Sequence, residues 1–190
     1  MKKIILAGSL LLSVSTTLFS ADVEEKIVTA EKQSHWYLGT EYSLGYGIRI
    51  YNNSESVNVD TDGLTLKVGY EQSDYDKLEF QYTSETLTSS SNSSDKDTIS
   101  EYKINAVVSI MKLRYKEMFI PYVEVALGYG SSDIYGGQLT THLGFGAIYN
   151  PIDIVELSLG YRYSNNFGST GSIDYIDHEE EIVFGAVYKF

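Results

Sequence analysis

The sequence predicts an all-β fold, an eight-stranded antiparallel up-and-down transmembrane β-barrel. Three observations predict it. Apolar residues recur at every second position over eight successive runs from Trp36 to Phe190, the period of a strand with one apolar face. The connections between runs alternate short and long, which a meander with two unlike ends would produce. An export-type leader begins the chain, yet no later apolar stretch has the ~20 residues of a membrane helix.

The leader reads MKKIILAGSLLLSVSTTLFSADVEE. Lys2 and Lys3 form a basic n-region, Ile4 to Val14 an apolar h-region, and Ser20 and Ala21 supply small residues for cleavage. This is the pattern of a secretory signal peptide. We assign residues 1–21 to the signal, 22–34 to a periplasmic N-terminal extension and 35–190 to the barrel.

The first run, WYLGTEYSLGYGIRIY, places Trp36, Leu38, Tyr42, Leu44, Tyr46, Ile48 and Ile50 on one face, with Glu41, Arg49 and several glycines on the other. GLTLKVGYE follows, with Leu64, Leu66, Val68 and Tyr70 against Lys67 and Glu71. YDKLEFQYTSE sets Leu78, Phe80 and Tyr82 against Lys77, Glu79, Gln81 and Glu85. The fourth run, Ile99 to Tyr115, carries Tyr102, Ile104, Ala106 and Val108 opposite Lys103. Its apolar phase slips after Ile110, which predicts a β-bulge at Ile110–Lys112. PYVEVALGYG opposes Val123, Val125, Leu127 and Tyr129 to Glu124. The sixth run opposes Leu139, Leu143, Phe145 and Tyr149 to His142, and the seventh opposes Val155, Leu157, Leu159, Tyr161 and Tyr163 to Glu156 and Arg162. EEEIVFGAVYKF ends the chain, with Ile182, Phe184, Ala186, Tyr188 and Phe190 on the apolar face.

Short connections are expected at Gln72–Asp74, Lys116–Ile120 and Asn150–Asp153. Long polar ones are expected at Asn52–Asp60, Thr86–Thr98, Ser131–Gly137 and Asn165–His178.

Period 2 does not say which face is inside. A soluble lipocalin-like barrel turns its apolar face inward and a membrane barrel turns it outward. The polar face combines charge with Gly39, Gly45, Gly47, Gly69, Gly128, Gly144, Gly146, Gly160 and Gly185. Glycine weakens a strand, but a narrow lumen needs small residues beside long charged ones. Aromatic residues also gather in two bands: Tyr70, Tyr115, Tyr149, Tyr188 and Phe190 at one end, Tyr46, Tyr82, Tyr102, Tyr129, Tyr161 and Tyr163 toward the other. Such girdles sit at membrane interfaces. A sheet edge cannot stay unpaired in hydrocarbon, so the last strand must close on the first. Apolar-out is the expected sense.

The signal peptide, the eight alternating runs, LGYRYS (159–164) and the ending FGAVYKF together resemble the small bacterial outer-membrane β-barrels of the OmpA transmembrane domain, OmpX and Opa-like group. The resemblance implies location in the outer membrane and contact with its lipid and lipopolysaccharide. It also implies that the barrel-assembly machinery reads Phe184, Tyr188 and Phe190 as an insertion signal.

The inward face should carry a nearly balanced charge network that plugs an eight-stranded lumen, including Glu41, Arg49, Lys67, Glu79, Lys103, Glu124, Glu156, Arg162 and Glu181. A three-residue turn pairing Glu71 with Tyr75 would set Lys67 opposite Glu79, and Arg162 should meet Glu181.

The function expected is a structural or surface-interaction role with polar extracellular loops, without catalysis, cofactor or metal. The alternatives are a small porin with a narrow path, a lipid A-modifying enzyme and a soluble lipocalin-like periplasmic binder. Formal net charge is −12, which disfavours nucleic acid as a partner. The absence of cysteine excludes disulfide and thiol chemistry. A deacylase-like reading would need a base two residues before Ser164, but Arg162 stands there and a guanidinium accepts no proton. His142 is expected to be a core polar residue. A host or cell-surface ligand is conceivable in this role, and the sequence names none.

Overall fold

The computed structural model describes residues 34–51, 55–72, 76–89, 92–110, 113, 115, 119–132, 136–170 and 175–190. The signal peptide and nearly all of the N-terminal extension expected from the sequence lie outside the described residues. From Ser34 onward the chain forms one closed antiparallel barrel in sequence order. Its strands are β1 His35–Tyr51, β2 Glu55–Glu71, β3 Lys77–Ser89, β4 Asn92–Ser109, β5 Phe119–Ser132, β6 Gly136–Ile152, β7 Val155–Thr170 and β8 Tyr175–Lys189. β1 pairs with β8 from Tyr37↔Lys189 upward, and the Phe190 amide donates to the Trp36 carbonyl at 3.0 Å. No edge strand is left. That is the condition for burying backbone polar groups in hydrocarbon.

The apolar face points outward. Leu38, Leu66, Leu78, Phe80, Ile104, Leu143, Phe145 and Leu159 are all half exposed or more, while Glu41, Glu79, Lys103 and Arg162 are buried. This is the reverse of a soluble ligand-binding barrel, so the lipocalin-like alternative fails on polarity. Among the described residues no helix is long and apolar enough to cross a membrane; the crossing is made by strands. Both aromatic bands are outward and partly joined in cross-strand ring contacts, tilted in Trp36–Tyr70 with centroids 5.3 Å apart and Tyr82–Tyr102 at 5.1 Å, and stacked in Phe119–Tyr149 at 4.9 Å.

Three expectations are corrected. First, the strands are longer and the long connections shorter than the sequence suggests. β1, β2 and β6 have 17 residues each, against the ~9–11 that cross a membrane. Most of Asn52–Asp60, Thr86–Thr98 and Asn165–His178 is strand. The reason is a reversal of polarity. In β2–β4 the outward face changes from Leu64, Tyr82 and Tyr102 to Asp62, Ser84 and Ser100. Beyond that level Asn58, Asp60, Thr86, Thr88 and Thr98 point outward, while Val59, Leu87 and Ile99 turn inward as an apolar cluster. The period is still 2, but its sense is that of a water-exposed sheet. The level of reversal marks where the strands leave the hydrocarbon.

Second, the fourth strand ends at Ser109, short of the expected Tyr115 and before the bulge expected at Ile110–Lys112. β4 pairs with β5 in unbroken register to Ser109↔Tyr122 and then stops. Ile110 donates to the Pro121 carbonyl, and Tyr115 bridges Phe119. Met111 and Lys112 lie outside the described residues. Third, β2 and β3 pair two residues away from the expected register. Glu71 faces Lys77, and Lys67 faces Gln81.

The polarity reversal is testable by unfolding from detergent or lipid. Leu66→Lys, in the outward apolar band, is expected to destabilise the barrel by about 2–4 kcal/mol. Thr86→Lys, beyond the reversal, should change stability by less than about 0.5 kcal/mol. Equal effects would mean that the membrane boundary lies elsewhere.

Candidate functional site

Among the described residues, the lumen is the one place where chemistry-bearing side chains from all eight strands assemble. Alternation aims odd-numbered residues of β1–β4 inward and even-numbered residues of β5–β7 inward. The network expected from the sequence is brought together there. Glu41, Lys67, Glu79, Lys103, Glu124, Glu156, Arg162 and Glu181 are each 8% exposed or less. Arg49 lies on β1 opposite Val57; its side chain is outside the described residues.

Arg162 is the hub. Its Nε donates to Glu124 Oε1 at 2.9 Å, its Nη2 stands 2.7 Å from Glu41 Oε1 and its Nη1 stands 3.7 Å from Glu181 Oε2. The Glu41 contact is an ion pair by distance rather than a well-directed hydrogen bond. Lys67 lies 3.4 Å from Glu41 and 3.8 Å from Glu79. The expected Lys67–Glu79 encounter therefore occurs despite the shifted register, because long side chains reach a diagonal neighbour. Glu79 also accepts from Tyr37 at 2.8 Å, Gln81 at 2.6 Å and Asn105 at 3.0 Å. Asn105 further donates to Glu124 at 3.1 Å. Toward the short-turn end Lys77 pairs with Glu156, and Lys189 lies 2.9 Å from Glu71 and 3.3 Å from Glu156. An apolar cluster of Val107, Ile120, Tyr122 and Ile148 packs at that end.

Glycine makes room for these chains. Across the ladder Glu41 faces Gly185, Lys67 faces Gly39, Glu79 faces Gly69, Lys103 faces Gly128, and both Glu124 and Arg162 face Gly144. A Cβ on Gly144 would stand 2.7 Å from Glu124 Cγ. The space left between Glu41, Lys67, Glu79, Glu124 and Glu156 is a cavity of about 10 Å³, room for one water at most.

Four inward groups escape the sequence reading. Tyr37 is wholly buried, and Glu101 and Glu179 add two acids to the lumen. All three share the parity of recognised inward residues, which is the signal that could have found them. The fourth is a partner rather than a residue. Ser164 does have an imidazole beside it, on the next strand rather than along its own: His142 faces Ser164 in the β6–β7 ladder. Its Nδ1 lies 2.6 Å from Ser164 Oγ, and its Nε2 lies 2.9 Å from Glu101 Oε1 and 3.0 Å from Thr140 Oγ1. Thr140 also donates to Glu101, and Lys103 stands 3.3 Å from Glu101. Ser164 has 0% exposure. The arrangement satisfies every polar atom of a buried histidine, while the serine oxygen faces packed side chains. Among the described residues no three His, Asp or Glu side chains converge as a metal-chelating set.

The family described as "Outer membrane protein beta-barrel domain" matches residues 5–190. The chain belongs to this family. It is accordingly a protein of the bacterial outer membrane. No curated protein matches the chain. Among solved structures it is similar in fold to Neisserial surface protein A, with 16% identity, 84% of this chain and 100% of that chain covered, and a TM-score of 0.57. It is likewise similar to the outer membrane protein AlkL determined in lipid bilayers, with 14% identity, 89% and 96% covered, and a TM-score of 0.50. These likenesses concern the fold. The family membership accords with a closed barrel whose outward face is apolar.

Removing the hub tests the network. Arg162→Met leaves Glu41, Glu124 and Glu181 buried with less neutralisation, at an expected cost of about 3–5 kcal/mol. The folded barrel should then lose its compact, fast-migrating form on detergent gels at a lower temperature. An unchanged transition would show that the lumen holds together without Arg162.

Proposed function

We propose that the protein is a non-catalytic, non-conducting outer-membrane barrel whose surface role is carried by the strand extensions beyond the hydrocarbon. The observation that carries this reading is the cross-linked lumen around Arg162, which joins β1, β5, β7 and β8 through Glu41, Glu124 and Glu181. A wall-to-wall ion network stiffens a barrel and obstructs permeation. In barrels of this class the short turns face the periplasm. The polar rim of Asn58, Asp60, Thr86, Thr88 and Thr98 then faces outside the cell. It continues the lipid-facing surface, so its first neighbours are the sugars and phosphates of lipopolysaccharide. Any cell-surface ligand would meet the same rim.

The lack of catalysis rests on Ser164. A nucleophile must present its oxygen to a substrate, and this one is enclosed. Phe184, Tyr188 and Phe190 are about half exposed or more on the outward face of the closing strand and its end. They are placed to be read by the assembly machinery before the barrel shuts.

Planar-bilayer recording is the decisive experiment. The refolded barrel is expected to give no unitary conductance steps. Reproducible steps whose size changes in Arg162→Met would establish the narrow-path porin instead. Activated serine-directed probes are expected to leave Ser164 unlabelled in the folded protein. In cells, Phe190→Ala should lower the amount of barrel in the outer-membrane fraction, while the same variant refolds normally from denaturant into detergent. Equal membrane yield would remove the assembly role from Phe190.

A further inference from the structure

The inward face is not balanced. Nine acids and five bases are buried in the lumen among the described residues. Their pairing can be followed one by one. Arg162 and Lys67 serve Glu41, Glu79, Glu124 and Glu181. Lys77 and Lys189 serve Glu71 and Glu156, and Lys103 with His142 serves Glu101. Two acids remain. Glu85 on β3 and Glu179 on β8 are 7% and 6% exposed, and among the described residues no base stands within ion-pair distance of either. The Oε1 atom of each is buried without a hydrogen-bond partner. A buried, unpaired carboxylate is strongly disfavoured.

A second observation points to what neutralises them. Thr61 is 3% exposed, and its hydroxyl oxygen also has no partner. The registers put Thr61 between the two acids. On one side it faces Gly45, and the neighbouring inward Gly47 faces Glu179. On its own strand the next inward position is Gly63, which faces Glu85. Three glycines thus hollow out the wall around one hydroxyl and two carboxylates. Val59, Leu87 and Ile99 roof the space with apolar side chains. Across the lumen Gln138 Oε1 is buried and unpartnered as well. The unpaired atoms of Glu85, Glu179, Thr61 and Gln138 are all oxygens. Protonation would neutralise the carboxylates and turn each into a single O–H donor, which serves one acceptor at a time. A hard cation satisfies carboxylate, hydroxyl and amide oxygens alike and completes its shell with water.

We propose that the lumen binds one hard metal cation between Glu85 and Glu179, with Thr61 Oγ as a neutral ligand. Two carboxylates and one hydroxyl fit a partly hydrated ion, in keeping with the absence of a three-carboxylate cage.

The test uses the full barrel refolded in detergent and stripped with chelator. Its thermal transition is followed at constant ionic strength while sodium, magnesium or calcium replaces choline. At least one of these ions should raise the transition saturably. The rise should vanish in Glu179→Gln and Glu85→Gln, which keep shape but drop charge and should fold at least as stably as the stripped wild type. Thr61→Val should weaken the apparent affinity roughly tenfold or more, and Asp60→Asn with Asp62→Asn, on the outer face, should leave it unchanged. Three results would overturn the proposal. They are a transition indifferent to all three ions, an ion effect that survives in the Glu85→Gln, Glu179→Gln double variant, and stabilisation by acid alone. The last would assign the pair to a shared proton. If a glutamine variant failed to fold, the Thr61→Val affinity alone would decide.

Discussion

Every feature of this molecule follows from the demand that no backbone amide be left unpaired in hydrocarbon. Closure of β8 on β1 meets that demand and sets all else. An eight-stranded closed sheet has a lumen only side-chain wide, so whatever points inward must interlock. The chain meets this with long charged residues set opposite glycine. Glu124 and Arg162 both reach across Gly144, one from each adjacent strand, and meet each other over it. The glycines are the complement in volume of the charges, and the charges in turn fix the walls that closure has brought together.

The same constraint explains why one strand can obey two environments. Within the membrane β3 is apolar outside at Leu78 and Phe80 and charged inside at Lys77 and Glu79. Beyond it the strand is hydroxylated outside at Thr86 and Thr88 and apolar inside at Leu87. The backbone does not change, since its ladder with β4 runs on. Only the solvent has changed. Hydrophobic burial reverses which face must be apolar once water lies outside.

That reversal decides what the sequence could disclose. Inside the hydrocarbon the faces were legible to the residue, because Leu, Phe and Tyr alternate with Glu, Lys and Gly over runs such as Leu64–Glu71. Outside it, a Ser/Thr/Asp-rich stretch such as Thr86–Thr98 has the composition of a loop although it pairs as a strand. Glu179 opens the eighth run but went unassigned to a face, because the apolar alternation there begins only at Ile182. The β2–β3 register was missed by two residues because the turn residues alone do not fix where pairing resumes; the Gln72 amide bonds the Asp76 carbonyl, and the ladder starts from Glu71↔Lys77. The Lys67–Glu79 contact survived that error since it depends on side-chain reach. The Ser164–His142 contact was invisible to any search along the chain, because its two residues are neighbours only across the β6–β7 ladder.

On the proposed non-catalytic reading, Ser164, His142 and Glu101 show how such a lumen imitates chemistry. A buried imidazole must engage both ring nitrogens, one as donor and one as acceptor. A hydroxyl on one side and a carboxylate on the other is the simplest way to do so, and it is also the order of groups in a serine hydrolase. What separates the two is access. A catalytic serine holds its oxygen toward a site where a carbonyl can sit beside stabilising donors. Here Thr140 and Lys103 crowd Glu101, and Ser164 has no exposed surface. The lumen has used the hydrogen-bonding capacity of His142 to tie β4, β6 and β7 together, as Arg162 ties β1, β5, β7 and β8. In a barrel this narrow, polar groups that find one another across the wall become part of its stiffness, and only those left without a protein partner, such as Glu85 and Glu179, remain available to a ligand.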